Sequence, residues 1–156
     1  MTSKIEGVYT KSAPAPLPQF SQAVKHNGMV YCSGNIGAIP GTNFELRETV
    51  KQRAASQTKE YQLDCHKLTR ATQHQAIKNL EAILIASGSS LRNAVKVNIY
   101  LTDMSKFALV NEAYDEFFTC EPKPARTCVA VYELPLKTDV EIECTAFIDT
   151  DKEYMA

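Results

Sequence analysis

Along the chain, apolar and polar positions alternate, fade and recur, and each regime predicts a different element. In Ala94–Leu101 the period is two: Val95, Val97, Ile99 and Leu101 fall on one side, Lys96, Asn98 and Tyr100 on the other. That pattern predicts a strand with one face in the core. Asp139–Ile148 repeats it, with Val140, Ile142, Cys144 and Ala146 on the apolar side and Glu141, Glu143 and Thr145 opposite. Arg126–Tyr132 is a third such run, carrying Thr127, Val129 and Val131 on one face and Arg126, Cys128 and Ala130 on the other. Two shorter strands, Ser21–Lys25 and Met29–Ser33, flank His26-Asn27-Gly28, where Asn-Gly predicts a tight hairpin. In Thr72–Ser87 the period lengthens. Ala76, Ile77, Leu80, Ile83 and Leu84 follow helical spacing, and Gly88 stands where a C-terminal cap belongs. A second helix is predicted over Lys106–Phe118, capped by Asp103 or Ser105, with Phe107, Val110, Tyr114, Phe117 and Phe118 as its stripe.

Two stretches lack a period. Residues 12–20 carry Pro14, Pro16 and Pro18, which cannot continue a helix or donate to a sheet ladder, so an extended arm is expected. Glu45–Arg70 is charged and poor in large apolar residues, and reads as a solvated excursion with at most a helical turn or two. The order strand, strand, helix, strand, helix, strand, strand predicts an α+β fold: one domain over residues 1–156, with two helices on one face of a mixed β-sheet.

Composition narrows the function classes. There are 17 basic and 18 acidic residues, a net charge of −1, so the basic excess of a dedicated nucleic-acid binder is missing. Runs such as Ala82–Ala86 fall far short of the roughly 20 apolar residues of a membrane span. Five cysteines, an odd number with no C-x-x-C, and a start without an apolar or Arg-rich leader point to a reducing, cytoplasmic setting.

Candidate chemistry concentrates in the last two strands. If the short connection Glu133–Thr138 makes them an antiparallel pair, their apolar faces coincide. Arg126 and Cys128 then share the opposite face with Glu141 and Glu143. A cross-strand salt bridge on a wet face is one outcome. The other is an anion site, with a guanidinium for a carboxylate and a glutamate to move a proton. Asn111, beside the buried stripe of the second helix, also needs partners, from the backbone or from a site. His26, His66 and His74 are scattered and form no metal-ligand pattern, so no metal is expected. Gly34-Asn35-Ile36-Gly37 lacks the lysine and context of a phosphate loop, and no G-x-S-x-G occurs.

Pro124-Ala-Arg-Thr-Cys-Val-Ala-Val-Tyr-Glu-Leu-Pro, followed by Val140-Glu-Ile-Glu, resembles the signature of the RidA/YjgF family of enamine/imine deaminases. Ala13-Pro-Ala-Pro-Leu, Val30-Tyr-Cys-Ser-Gly, Asn79-Leu-Glu-Ala-Ile-Leu and Val95-Lys-Val-Asn-Ile-Tyr-Leu-Thr-Asp-Met match in the same order. The resemblance implies a chorismate-mutase-like fold assembled as a homotrimer, with a pocket at each subunit interface. It implies hydrolysis of reactive 2-imino or enamine acids to 2-keto acids and ammonia, with no cofactor. Carried over, Arg126 would clamp the substrate carboxylate and Glu141 would activate water. Ser33, Gly34, Asn111 and Cys128 would line the pocket.

Two departures stand out. Phe20 occupies the place of the family's usual tyrosine, which removes one water-orienting hydroxyl, and the stretch around 45–70 is longer than usual. A non-catalytic carboxylate binder or holdase is the rival reading. A ribonuclease or translation inhibitor, the third, fits the near-zero net charge least.

Overall fold

The computed structural model describes residues 4–46 and 61–149, with side chains of the second stretch from residue 72 onward. Its main elements are β1 (Glu6–Val8), β2 (Ala23–His26), β3 (Met29–Cys32), α1 (Tyr61–Ala86), β4 (Ala94–Leu101), α2 (Phe107–Phe117), β5 (Ala125–Ala130) and β6 (Val140–Phe147). The six strands form one sheet in the order β1-β2-β3-β6-β4-β5. Every neighbouring pair is antiparallel except β4 and β5. Parallel neighbours need a crossover, and α2 supplies it. The expected α+β architecture is present, with two helices on a mixed sheet.

The hairpin forms as its dipeptide requires, with Asn27 at φ 50° and Gly28 at φ 74°. At the end of α1, Gly88 takes φ 79°, and Ser89 N donates to Leu84 O (2.8 Å) while Gly88 N donates to Ile85 O (3.1 Å). That pair of bonds is a Schellman cap, satisfying carbonyls the helix leaves open. Asp103 accepts from Ser105 N at 2.8 Å and starts the turn that leads into α2. The core lies between α1 and the sheet, where Ile77, Leu80, Ile83 and Leu84 are buried together with Val30, Val97, Ile99 and Ile142.

Four expectations need correction. α1 begins at Tyr61 rather than near Thr72, so the end of the expected excursion is helical; residues 47–60 of it lie outside the described residues. Strand β1 was not foreseen, because three residues with a central glycine carry no readable period. Val95 does not join the core face: a bulge between Ala94 and Lys96 leaves it exposed. Most consequentially, β5 and β6 are not neighbours. The chain passes through a tight left-handed turn at Pro135–Lys137, and β4 lies between the two strands.

The proline arm turns at 11–12 and again at 18–19, where Phe20 N donates to Leu17 O (3.2 Å), and one buried side chain clips it to the sheet. Gln22 Oε1 accepts from Thr10 N (2.7 Å), and its Nε2 donates to Thr10 O (3.0 Å) and Pro14 O (2.7 Å). Replacing Gln22 by Ala strands these backbone groups. It is expected to cost about 1–2 kcal/mol of stability in chemical denaturation. Among the described residues, no helix is long and apolar enough to cross a membrane.

Candidate active site

The register of β4 decides where each candidate residue faces. Val97, Ile99 and Leu101 stand opposite Cys144, Ile142 and Val140 on one side, and opposite Arg126, Cys128 and Ala130 on the other. Paired residues share a face, so Arg126 and Cys128 look toward the helices. Glu141 and Glu143, paired with Tyr100 and Asn98, look the opposite way. The expected convergence of Arg126 and Cys128 with Glu141 on one face is therefore wrong for a single chain, because it rested on a β5–β6 pairing that β4 interrupts. The candidates instead form two half-sites.

The first half-site lies between β5 and α2. Arg126 Nη1 donates to Asn111 Oδ1 at 2.6 Å, which identifies the partner that Asn111 needs. The guanidinium carbon lies 4.5 Å from the centre of the Tyr114 ring and 5.5 Å from that of Phe107. Asn111, Phe107 and Tyr114 sit four and three residues apart on α2, so one helix face holds the cation by an amide and two π-systems. Arg126 Nε and Nη2 remain shielded from solvent and without a hydrogen-bond partner. An arginine with two adjacent donors unpaired and its remaining nitrogen anchored has the donor geometry of a bidentate carboxylate partner. Burial pushes the Cys128 thiol up, against the opposing pull of Arg126, so it is a packing wall rather than a ready nucleophile. Burial likewise pushes the Tyr114 phenol up to about 12, and it stacks on Phe118 at 4.2 Å.

The second half-site lies on the open sheet face. Glu141 is partly buried against Gly34, where any side chain would collide with its Oε1 and Cδ. Burial, then the nearby Glu143, raises the Glu141 carboxyl above its ordinary range. Glu143 is itself committed, accepting from Asn98 Nδ2 (2.8 Å) and Tyr100 Oη (3.0 Å). Ser33 Oγ donates to Ser21 O at 2.6 Å, which fixes the hydroxyl and leaves its oxygen as an acceptor toward the cavity. That cavity, about 550 Å³, is lined by Ser33, Gly34 and Glu141 together with Leu17, Phe20, Ile36 and Phe44. Gly34→Ala is expected to drive the Glu141 carboxylate from its place at little cost in stability, because the atoms it displaces are the end of a flexible side chain. Lost activity with a nearly unchanged thermal midpoint is the result that checks this.

Of the residues singled out in the sequence, Arg126, Asn111 and Cys128 come together, and Ser33, Gly34 and Glu141 come together. Phe107, Tyr114 and the apolar cavity wall were not foreseen as site residues. For the first two a signal existed: helical spacing from Asn111. His74 pairs with Glu116 at 3.2 Å and meets Phe117 edge-on at 5.1 Å, which accounts for it structurally. No group of three or more His, Cys, Asp or Glu residues able to hold a metal occurs among the described residues.

Comparison with known proteins identifies the family. The family model described as Endoribonuclease L-PSP matches residues 10–148. The chain is 38% identical over 143 residues to Reactive Intermediate Deaminase A, chloroplastic, of Arabidopsis thaliana, covering 92% of this chain and 66% of that protein. It is 39% identical over 140 residues to a RutC family protein of Aquifex aeolicus, covering 89% of this chain and 96% of that one. The crystal structure of RidA from an Antarctic Psychrobacter superposes with a TM-score of 0.74 at 37% identity, over 92% of this chain and 99% of that one. These relatives support a general RidA-type, deaminase-type role. The chain belongs to the RidA/YjgF family, whose model bears the Endoribonuclease L-PSP description.

Proposed function

We propose that the protein is an enamine/imine deaminase that hydrolyses 2-imino acids, such as the imine tautomer of 2-aminoacrylate, to 2-keto acids and ammonia. The observation that carries this reading is Arg126: anchored by Asn111, stacked on an aromatic ring, and left with two shielded donors. Such a group is suited to a planar carboxylate. Glu141, a carboxyl held above its usual range, is suited to take a proton from water as it adds to the imine carbon. Glu141 passes that proton to the imine nitrogen as the carbinolamine forms. The carbinol hydroxyl then gives its own proton, through Glu141, to the same nitrogen, the C–N bond breaks, and ketone and ammonia are released.

Because Arg126 and Glu141 look out of opposite faces, the reading requires the site to be shared between copies. A homotrimer with a pocket at each subunit boundary meets that need. Tyr31, Val129 and Phe147, exposed on the open face, favour a covering partner of this kind. A reducing, cytoplasmic setting is the companion proposal, and the described cysteines are all free.

The test is release of ammonia and keto acid when an amino-acid dehydratase generates 2-aminoacrylate beside the folded, oligomeric protein. A rate no greater than the uncatalysed one would overturn the proposal. Phe20 favours a second reading, a non-turning-over binder of small carboxylates, because it lines the Glu141 cavity without a hydroxyl. Activity gained by Phe20→Tyr in an inert wild type would point to a weakened enzyme, and keto-acid binding without turnover in either form to the binder.

A further inference from the structure

The cavity on the Glu141 side is larger and more apolar than the smallest 2-imino acids require. Its volume of about 550 Å³ lies within the range of pockets that enclose whole drug-sized ligands. Apart from Ser33, Asn43 and Glu141, its side chains are apolar: Leu17, Phe20, Ile36, Phe44, Pro135 and Leu136. Leu17, Phe20 and Leu136 are 48%, 46% and 51% exposed. Large apolar side chains gathered half-exposed around a concavity mark a surface built to be covered.

The backbone adds an independent sign. Phe44 and Leu136 both stand at φ 56°, in the left-handed region that bulky residues avoid. Neither is a glycine or an asparagine, and both side chains wall the same cavity. Strain at two separate loops that converge on one wall belongs with sites where position matters more than local comfort. Phe20 fits the same pattern, since a phenyl ring presents a fully apolar edge where a phenol would carry a hydroxyl.

We propose that this cavity receives the side chain of the substrate, and that the protein prefers 2-imino acids with branched or aromatic side chains. Such compounds arise when an amino-acid oxidase or dehydrogenase acts on a large apolar amino acid, rather than from dehydration of serine or threonine. The inference deepens the deaminase reading and rests on it. In the small imine, a methyl group leaves most of the wall wetted. A branched or aromatic group covers Leu17, Phe20 and Leu136 while the imine carbon stays beside Glu141.

The test generates imines in place with an L-amino-acid oxidase from alanine, leucine and phenylalanine, and follows their loss by semicarbazide trapping. The leucine- and phenylalanine-derived imines are expected to show kcat/KM at least about tenfold above the alanine-derived one. Leu136→Asn should lower that ratio, because asparagine tolerates the left-handed backbone and replaces wall with amide. Equal or better turnover of the alanine-derived imine would overturn the preference while leaving the deaminase reading intact. That is also the result expected if a second copy fills the cavity. If no imine is accelerated, the deaminase reading fails instead, and calorimetry decides the cavity: phenylpyruvate no tighter than pyruvate overturns the preference, and tighter binding supports it.

Discussion

Arg126→Lys is expected to lower kcat/KM for imine hydrolysis by about 100-fold, chiefly through a higher KM. A charge-assisted hydrogen bond contributes about 1.5–3 kcal/mol, and 2.7 kcal/mol corresponds to that factor. Lysine keeps the charge but presents it as a point. It can neither reproduce the two unpaired donors at Nε and Nη2 nor lie flat against Tyr114. Asn111 Oδ1 would also lose its 2.6 Å donor. β5 is an edge strand, and Arg126 does not belong to the apolar core, so the fold should survive. Circular dichroism and the oligomeric mass check that. Calorimetric titration of a 2-keto acid isolates the binding part. A variant that binds the keto acid as well as wild type would remove the carboxylate clamp from the mechanism.

Glu141→Gln is expected to act on the other parameter, lowering kcat by about 10²–10³-fold with little change in KM, as befits loss of a proton acceptor. The pH dependence follows from the direction of its shift. Burial and Glu143 hold the carboxyl above its ordinary range, so the working base form is lost as pH falls through that raised value. The acid limb of the kcat profile should therefore lie above the usual carboxylate range, and should vanish in the glutamine variant. Stability runs the opposite way with pH. A raised folded-state pKa contributes stability that is fully present below the unfolded-state pKa and is lost as pH rises through the folded-state value. Relative to wild type, Glu141→Gln should then gain thermal stability at neutral pH and gain nothing in acid. A glutamine variant with an unaltered acid limb would assign that limb to another group.

Local chemistry made much of this fold legible. Asn27-Gly28 specifies its turn through backbone conformation alone, and Val140–Phe147 states its two faces by strict alternation. Long-range pairing was not legible. Alternation in β5 correctly separates Arg126 and Cys128 from Thr127 and Val129, but does not say which set looks inward. That depends on the neighbour, and the neighbour is β4, more than twenty residues upstream, rather than the strand next in sequence. The start of α1 was missed for a different reason. Its first turns lack the apolar repeat of Ala76–Leu84, so periodicity alone could not extend the helix back to Tyr61. At the site, residue types were readable while partnership was not: Asn111 declared a need for a partner, and only the crossover through α2 puts Arg126 there.

The placement of Arg126 and Glu141 on opposite faces bears on inheritance as well as on chemistry. In a ring of copies where each site takes its arginine from one subunit and its glutamate from the next, two defective proteins can repair each other. Every mixed ring of Arg126→Ala and Glu141→Ala subunits contains a boundary at which both intact residues meet. Unfolding and refolding the two inert variants together should restore a fraction of wild-type turnover, whereas refolding either alone should restore none. Two damaged alleles in one cell would then be milder in combination than either is by itself.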